Sequence, residues 1–272
     1  HEEPKLLNTC LRRPLSLAGP RSIAEVIERK FQLTALIRAE HELQDWTATE
    51  TAWAPGGCGA AGPFEFEYDY QRADLKVQGP SFYEFGGEFT YDTAYTGSGM
   101  AAISGLLLAS ARVFGQAEVL VLPGTYSETL ELIDSYARHL RKVILKSELE
   151  HPVVQADERR ILLLDFCAPA GAFEATLRNP GRTLDLLVFD TTCFAGGSGL
   201  IRRVLRWARQ WNIPAVMVRS HNKLDSLGAE YGRLGSASFV RPAKGGRRPG
   251  RSNFNELLSE TRNAIRLFGG AA

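Results

Sequence analysis

Residues 184–220 read LDLLVFDTTCFAGGSGLIRRVLRWARQWNIPAVMVRS, and the arrangement of apolar residues in this stretch indicates the fold class. Its two ends, 184–190 and 214–220, are apolar without alternation, which predicts strands that are covered on both faces. Residues 199–211 between them predict a helix whose two tryptophans lie on a core-facing stripe. A strand, a helix and a second strand in this order are typical of a mostly parallel sheet in an α/β domain.

The same alternation of apolar strands and helices extends to both sides of this stretch. The further strands that we predict are 118–123, 142–146, 160–166 and 232–240. The further helices are 99–114, 126–139, 171–178 and a final helix in FNELLSETRNAIRLF. The expected fold class is therefore α/β, with a mostly parallel sheet between two layers of helices in an α-β-α sandwich.

The first third of the chain lacks this alternation. Residues 21–46 predict an amphipathic helix, and the Gly-, Pro- and aromatic-rich stretch that follows predicts loop or short irregular strands. The basic, Gly- and Pro-rich segment 241–253 predicts a solvated loop. The predicted divisions are an N-terminal helix with an irregular segment (1–95), a large domain (96–253) and a linker helix (254–272).

Composition excludes some classes of partner. The 272 residues include 32 basic and 31 acidic side chains, so no strong overall field favours nucleic acid or a membrane surface. No apolar run reaches the roughly 18 residues that a membrane span needs. The four cysteines are scattered without a CxxC pair, which predicts free thiols in a reducing compartment. We expect a soluble cytoplasmic protein with a small substrate and no metal.

Ligands of mostly parallel sheets bind at the carboxyl ends of the strands, and four short motifs lie at such turns. The first is the Gly-rich turn Ser98-Gly-Met-Ala-Ala102, whose helix-start amides and dipole suit a phosphate. A plain helix start is the alternative. The second is Tyr126, which follows the strand 118–123 and can stack on a planar ring or simply cover the core.

The third and fourth motifs carry charged groups. Asp190 ends the strand 184–190, where a carboxylate is costly to bury unless a cation such as a protonated pyridine nitrogen meets it. A cap of the following turn is the alternative. In Ser220-His-Asn-Lys223, the lysine amine can form an imine with an aldehyde, beside side chains that can donate to a phosphate. A solvated lysine is the alternative, and His221 is either a group at the site or a surface residue.

Taken together and in this order, the motifs resemble those of fold type I pyridoxal 5′-phosphate (PLP) enzymes. The nearest group is that of Cys/Met metabolism, the cystathionine γ-synthase/methionine γ-lyase group. That group has a Ser-Gly-Met-Ala-Ala turn, Tyr-Gly-Gly-Thr, Asp-Asn-Thr and Ser-x-Thr-Lys. The matching segments here are Ser98–Ala102, Tyr126–Thr129, Asp190–Thr192 and Ser220–Lys223, within a resemblance that covers about residues 95–240.

The resemblance implies that residues 96–253 bind PLP. It assigns the cofactor to Ser98, Gly99, Met100, Tyr126, Asp190, Thr192, Ser220, Asn222 and Lys223. Lys223 would hold PLP as a Schiff base and shuttle protons, Asp190 would pair with the ring nitrogen, and Tyr126 would stack on the ring. These three residues are the implied catalytic residues. The remaining residues would bind the phosphate or, for Thr192, lie near the ring.

The resemblance also implies a PLP-dependent lyase or transferase that acts on a small amino acid, as a homodimer. The Ser-Gly-Met and Tyr-x-x-Thr segments favour β/γ-elimination or replacement. Amino transfer is the alternative, because the spacing of 33 residues from Asp190 to Lys223 (223 minus 190) is closer to that of aminotransferase-like relatives. A non-catalytic subunit is a second alternative, because the C-terminal domain that usually binds the substrate carboxylate is expected to be absent from this chain.

Overall fold

A computed structural model describes most of the chain from residue 81 onward and isolated segments before it. The described residues are 22–25, 57–61, 64–68, 76–78, 81–145, 159–179, 181–195, 197–223, 225, 234–243 and 253–267. The helix predicted at 21–46 lies outside them apart from residues 22–25, of which 23–25 are helical. Residues 244–252 of the predicted basic loop also lie outside the described part.

The strands form two sheets. A small antiparallel sheet contains β1 (Gly57–Ala61), β2 (Phe64–Tyr68) and β3 (Lys76–Gln78). The main sheet contains β4 (Phe89–Thr96), β5 (Ala117–Val121), β6 (Leu140–Ile144), β7 (Arg159–Leu164), β8 (Leu186–Asp190), β9 (Ala215–Ser220) and β10 (Gly235–Pro242). Its order is β4-β10-β9-β8-β7-β5-β6. Strand β10 runs in the direction opposite to that of the other six strands.

Helices cover the main sheet on both faces. They are α1 (Gly99–Phe114), α2 (Ser127–Tyr136), α3 (Ala170–Arg178), α4 (Gly199–Gln210) and α5 (Phe254–Leu267). Side chains of α1, α2 and α5 pack in one core, and side chains of α3 and α4, including Trp207, pack in the other. Strand β8 contributes to both, because Leu186 and Val188 face the first core while Leu187 and Phe189 face the second. The predicted mostly parallel α-β-α sandwich is confirmed.

The amino ends of β5 and β7 are joined by a buried ion pair. Glu118 accepts a hydrogen bond from Arg160 at 2.8 Å, and the two side chains are 4% and 2% exposed. The guanidinium of Arg141 on β6 also donates to Glu118. Charges at this depth are tolerated only when they are paired and hydrogen-bonded, so the pair links strands at this edge of the sheet.

Strand β4 is the part of the main sheet that hydrophobic periodicity does not predict. Its sequence, FTYDTAYT, has no apolar run, because β4 is an edge strand that pairs with β10 and leaves residues 90–92 exposed. The strand crosses the predicted division between residues 95 and 96. At the other end of the chain, α5 packs against α1, where Ile265 lies in close contact with Gly105. The three-segment division of the chain stays a prediction.

The described residues include the side chains of two cysteines, Cys167 and Cys193. Both are free thiols; Cys167 is partly buried and Cys193 is exposed. The side chains of Cys10 and Cys58 lie outside the described part. In the described part of the chain, no helix is long and apolar enough to cross a membrane.

Candidate functional site

The segments that follow four parallel strands meet at the carboxyl edge of the sheet. Strands β9, β8, β7 and β5 lie side by side in that order and run in the same direction. Tyr126, Asp165 and Lys223 follow β5, β7 and β9, and Asp190 is the last residue of β8. This edge is where parallel α/β sheets place their ligands.

The start of α1 lies directly against the end of β9. A Cβ on Gly99 would be 2.9 Å from both the Cβ and the backbone nitrogen of Ser220, so the contact requires glycine. Ser98 caps the helix, because its hydroxyl accepts a hydrogen bond from the Ala101 amide at 3.0 Å. The amides of Gly99 and Met100 belong to the first helical turn, which has no acceptors within the helix. The structure thus joins two predicted phosphate-binding segments that are distant in sequence.

Lys223 lies beside the ring of Tyr126. Its Nζ is 5.1 Å from the centre of that ring. Tyr126 begins α2 as its N-cap residue, and a hydrogen bond with Glu128, together with burial, raises the pKa of its hydroxyl. The phenol therefore stays protonated around neutral pH, as an aromatic surface next to the amine. The second and fourth motifs are together in space.

Asp165 fixes the turn that carries Tyr126. Its carboxylate accepts hydrogen bonds from the amides of Tyr126 at 2.8 Å, Cys167 at 2.9 Å and Ala168 at 3.3 Å. Asp165 is 2% exposed, and burial raises its pKa. Sequence reasoning missed this residue, although it ends an apolar strand in the same way as Asp190. That shared position was the signal that could have found it.

Hydrogen bonds connect Asp190 to Ser220. The Asp190 carboxylate accepts from the Thr192 amide at 2.8 Å, and the Thr192 hydroxyl accepts from the Ser220 amide at 3.0 Å. The Thr191 hydroxyl donates to the Val218 carbonyl at 3.1 Å. The third and fourth motifs are therefore held together at the ends of β8 and β9.

Asn222 is engaged with the backbone of the chain before β10. Its side-chain oxygen accepts a hydrogen bond from the Leu234 amide at 2.9 Å. Its amide nitrogen is the group that remains suited to an anion, because amide oxygens cannot donate. The phosphate role of Asn222 stays a prediction.

His221 and Arg219 form a polar cluster with Asp225, in which Arg219 is buried and the other two side chains are partly buried. His221 contacts Asp225 through Nδ1 at 2.7 Å and Ser236 through Nε2 at 2.9 Å, so it is not a surface residue at a helix start. Arg219 is fully buried and donates to both carboxylate oxygens of Asp225. Sequence reasoning missed Arg219, although a charge inside the run PAVMVRS requires a buried partner.

The thiols of Cys167 and Cys193 lie beside the charged groups of this edge. Burial raises the pKa of both thiols; the charge of Asp190 raises it further, and the charge of Lys223 opposes the shift. Both cysteines therefore stay protonated at neutral pH.

The donor groups at this edge fit a phosphorylated pyridine aldehyde such as PLP. The start of α1 and Ser220 suit a phosphate, Tyr126 suits a flat ring, and Lys223 suits an aldehyde. Among the described residues, the buried side-chain polar atom without a hydrogen-bond partner is the Thr125 hydroxyl, directly before Tyr126. Buried polar groups nearly always have partners, so this hydroxyl is an exception within the described residues.

Comparisons with known proteins gave similarities of structure. No protein-family model and no curated protein sequence matches the chain. An aromatic amino acid aminotransferase from Burkholderia cenocepacia J2315 is 18% identical with a TM-score of 0.47, over 66% of this chain and 48% of that one. Aspartate aminotransferase from Trypanosoma cruzi is 17% identical with a TM-score of 0.46, over 68% and 50%.

A third similar structure is the aromatic-amino-acid aminotransferase from Burkholderia pseudomallei, covalently bound to pyridoxal phosphate. It is 14% identical with a TM-score of 0.45, over 68% of this chain and 48% of that one. The present chain therefore spans about half the length of the solved structures it matches.

Proposed function

We propose that this chain binds PLP covalently through Lys223 and acts on a small amino acid. The observation that carries this proposal is the convergence of two contacts at one edge of the sheet. Lys223 lies 5.1 Å from the ring of Tyr126, and Gly99 packs directly on Ser220. An amine, an aromatic face and a helix N-terminus are the three groups that an aldehyde, a flat ring and a phosphate need.

The start of α1 and Ser220 would hold the phosphate. The amides of Gly99 and Met100 lie at the positive end of the helix dipole, where an anion is favoured. The Ser220 hydroxyl can add a hydrogen bond, because the backbone of Ser220 lies against Gly99. Asn222 would contribute only through its amide nitrogen, since its oxygen is bound to Leu234.

Asp190, Tyr126 and Lys223 would perform the chemistry. When bound, PLP supplies an aldehyde and a ring that accepts electrons. Asp190, oriented by the Thr192 amide, would keep the ring nitrogen protonated, and Tyr126 would cover the ring. The amine of Lys223 would carry the covalent attachment and move a proton at the substrate Cα.

Amino transfer is the first reaction to test. The carboxylate of Asp190 and the amine of Lys223 are separated by the whole of α4, which produces the longer spacing of aminotransferase-like relatives. Elimination or replacement is the second candidate, because Ser98-Gly-Met and Tyr126-x-x-Thr129 favour it. A homodimer is the assembly that both reactions imply by resemblance.

The covalent attachment is tested by adding PLP to the purified chain and reducing with borohydride. We expect a visible absorbance band and, after peptide mapping, a reduced adduct on Lys223. Lys223→Ala should abolish the band while the far-UV circular dichroism stays that of the wild type. Lys142→Ala is the matched control, because Lys142 is a lysine of β6 that pairs with Asp134. An adduct on another residue, or no band, contradicts the proposal.

The reaction type is tested by screening amino acids with the PLP-loaded chain. Transfer of the amino group to a 2-oxo acid supports amino transfer, whereas release of a side-chain fragment supports elimination or replacement. A trapped Lys223 adduct without turnover of any amino acid supports the alternative hypothesis that this chain is a non-catalytic subunit. That third outcome is relevant because the chain spans about half of the solved structures it matches.

A further inference from the structure

Arg219 is a fully buried cation next to the lysine turn, and its donors are directed at specific acceptors. Its Nε donates to Asp225 at 2.7 Å, and its Nη2 donates to the other oxygen of the same carboxylate. Its Nη1 donates to the Phe194 carbonyl at 2.8 Å and to the Thr191 carbonyl. The Cζ atom of the guanidinium also lies 3.9 Å from the ring centre of Phe82. A bidentate arginine–carboxylate pair of this kind fixes the orientation of the two side chains as well as the distance between them.

The Arg219–Asp225 pair closes the turn that contains Lys223. Arg219 lies on β9 four residues before the lysine, and Asp225 lies two residues after it. The pair therefore anchors the far side of the turn to the strand from which the turn leaves. Through Thr191, it also anchors the turn to the residues that follow β8.

His221 connects the same carboxylate to β10. Its Nδ1 contacts Asp225 at 2.7 Å and its Nε2 contacts the Ser236 hydroxyl at 2.9 Å. Burial alone raises the pKa of Asp225, but the hydrogen bonds and charges of Arg219 and His221 outweigh it and hold that pKa below its usual value. The carboxylate therefore stays ionised between its two partners.

An Asp–His–Ser order is also that of a hydrolytic triad, but accessibility argues against hydrolysis. Ser236 is 1% exposed, so a substrate carbonyl has no access to its hydroxyl. Asp225 is also neutralised by Arg219, whereas a triad carboxylate is available to stabilise an imidazolium. The cluster is suited to holding the turn in place.

We infer that Arg219, Asp225 and His221 form a clamp, named here the lysine clamp, that positions Lys223 over Tyr126 for attachment of the cofactor. This inference rests on the proposed function of Lys223. The three residues are positioning residues, because they act through the geometry of the turn that carries Lys223. A misplaced amine forms its bond with an aldehyde more slowly, because attack requires a defined approach.

The test uses three variants of the full chain. Asp225→Asn removes the carboxylate charge and leaves Arg219 buried without its counter-ion. Arg219→Met combined with Asp225→Asn removes both charges and leaves no buried charge without a partner. This double variant tests the clamp if Asp225→Asn alone does not fold. Glu118→Gln is the matched control, because it also removes the carboxylate partner of a buried arginine, at the opposite edge of the sheet.

The first readout needs no cofactor. The His221 amide donates to the Leu234 carbonyl at 2.9 Å, and the Leu234 amide donates to Asn222, so both amides report on the turn. We expect their hydrogen exchange to be roughly tenfold faster, relative to core amides of the same variant, when the clamp is broken. Glu118→Gln should not change this ratio. An unchanged ratio in the clamp variants overturns the inference.

The second readout is the rate at which borohydride-trappable PLP appears on Lys223. We expect a rate roughly ten- to a hundredfold lower in the clamp variants than in Glu118→Gln. If amide hydrogen exchange is faster but the rate of PLP trapping is unchanged, the cluster only stabilises the turn. That result would overturn the positioning role. If the wild type traps no PLP on Lys223, the proposed function fails, whereas failure of the clamp leaves wild-type trapping intact.

Discussion

Gly99 shows how one missing side chain brings two distant segments of the chain together. A Cβ at this position would lie 2.9 Å from the Ser220 Cβ and backbone nitrogen, which is closer than van der Waals contact allows. Because the obstacle includes backbone, a rotamer change cannot relieve it. The distance between the α1 amides and Ser220 therefore depends on glycine at residue 99.

Gly99→Ala is expected to weaken PLP binding, because α1 and β9 must move apart to admit the methyl group. We expect a loss of stability of about 1–3 kcal/mol, as is usual for overpacking. The measurements are the apparent Kd for PLP and urea unfolding. Gly171→Ala in α3 is the control, because its added Cβ meets no atom within 4 Å. Equal PLP affinity in the two variants would contradict the prediction.

Arg219 shows how a charged side chain can be buried in the core when hydrogen-bond acceptors surround it. The guanidinium is 0% exposed and is held by Asp225 and by two backbone carbonyls. A buried charge without such partners costs several kcal/mol. The position of Asp225 in the folded chain is therefore the reason that arginine is tolerated in β9.

At the scale of elements, the start of α1 combines stability with a binding role. Ser98 supplies the N-cap, and the amides that follow it are directed to the same edge as Lys223. Helix α4 begins in a similar way, since the Ser198 hydroxyl accepts a hydrogen bond from the Leu200 amide at 3.2 Å. The two helices thus have the same type of cap with different surroundings.

Ser98→Ala and Ser198→Ala separate these two roles. Each variant is expected to lose about 0.5–2 kcal/mol of stability, because each removes a side-chain cap. Only Ser98→Ala should also weaken PLP binding, since only α1 is proposed to hold the phosphate. The measurements are thermal unfolding and PLP titration. A weakened PLP affinity in Ser198→Ala of the same size would show that the effect is general destabilisation.

The unit formed by β8, α4 and β9 shows what periodicity predicts well at this scale. Its predicted bounds of 184–190, 199–211 and 214–220 agree with the structure to within two residues. Each strand is buried on both faces, so its apolar run is continuous. Strand β4 has no continuous apolar run, because it pairs with only one of the described strands and its first half is partly or fully exposed.

At the scale of the whole molecule, the two edges of the sheet have different roles. The amino edge carries the Glu118–Arg160 pair, and the carboxyl edge carries the candidate site. Such a division is common in α/β proteins, because parallel strands direct all the following loops to one edge. Changes at the amino edge should therefore affect stability without affecting chemistry.

Glu118→Gln is expected to reduce the free energy of unfolding by about 3–5 kcal/mol, because Arg160 is left as a buried charge without its anion. Trapping of PLP on Lys223 should be unchanged in the folded protein. The measurements are urea unfolding and borohydride trapping at a temperature where the variant is fully folded. A loss of trapping in the folded variant would contradict the separation of the two edges.

The α/β class, the order of the strands and helices from residue 99 onward, and the polar residues at the strand ends could all be predicted from the sequence. This was possible because periodicity and strand-end polarity are local properties of the chain. The tertiary structure was needed to show that Gly99 touches Ser220, that Asp165 fixes Tyr126, and that Arg219 pairs with Asp225 on the two sides of Lys223 in the sequence. Those contacts depend on strand order and register, which bring together residues that no short pattern connects.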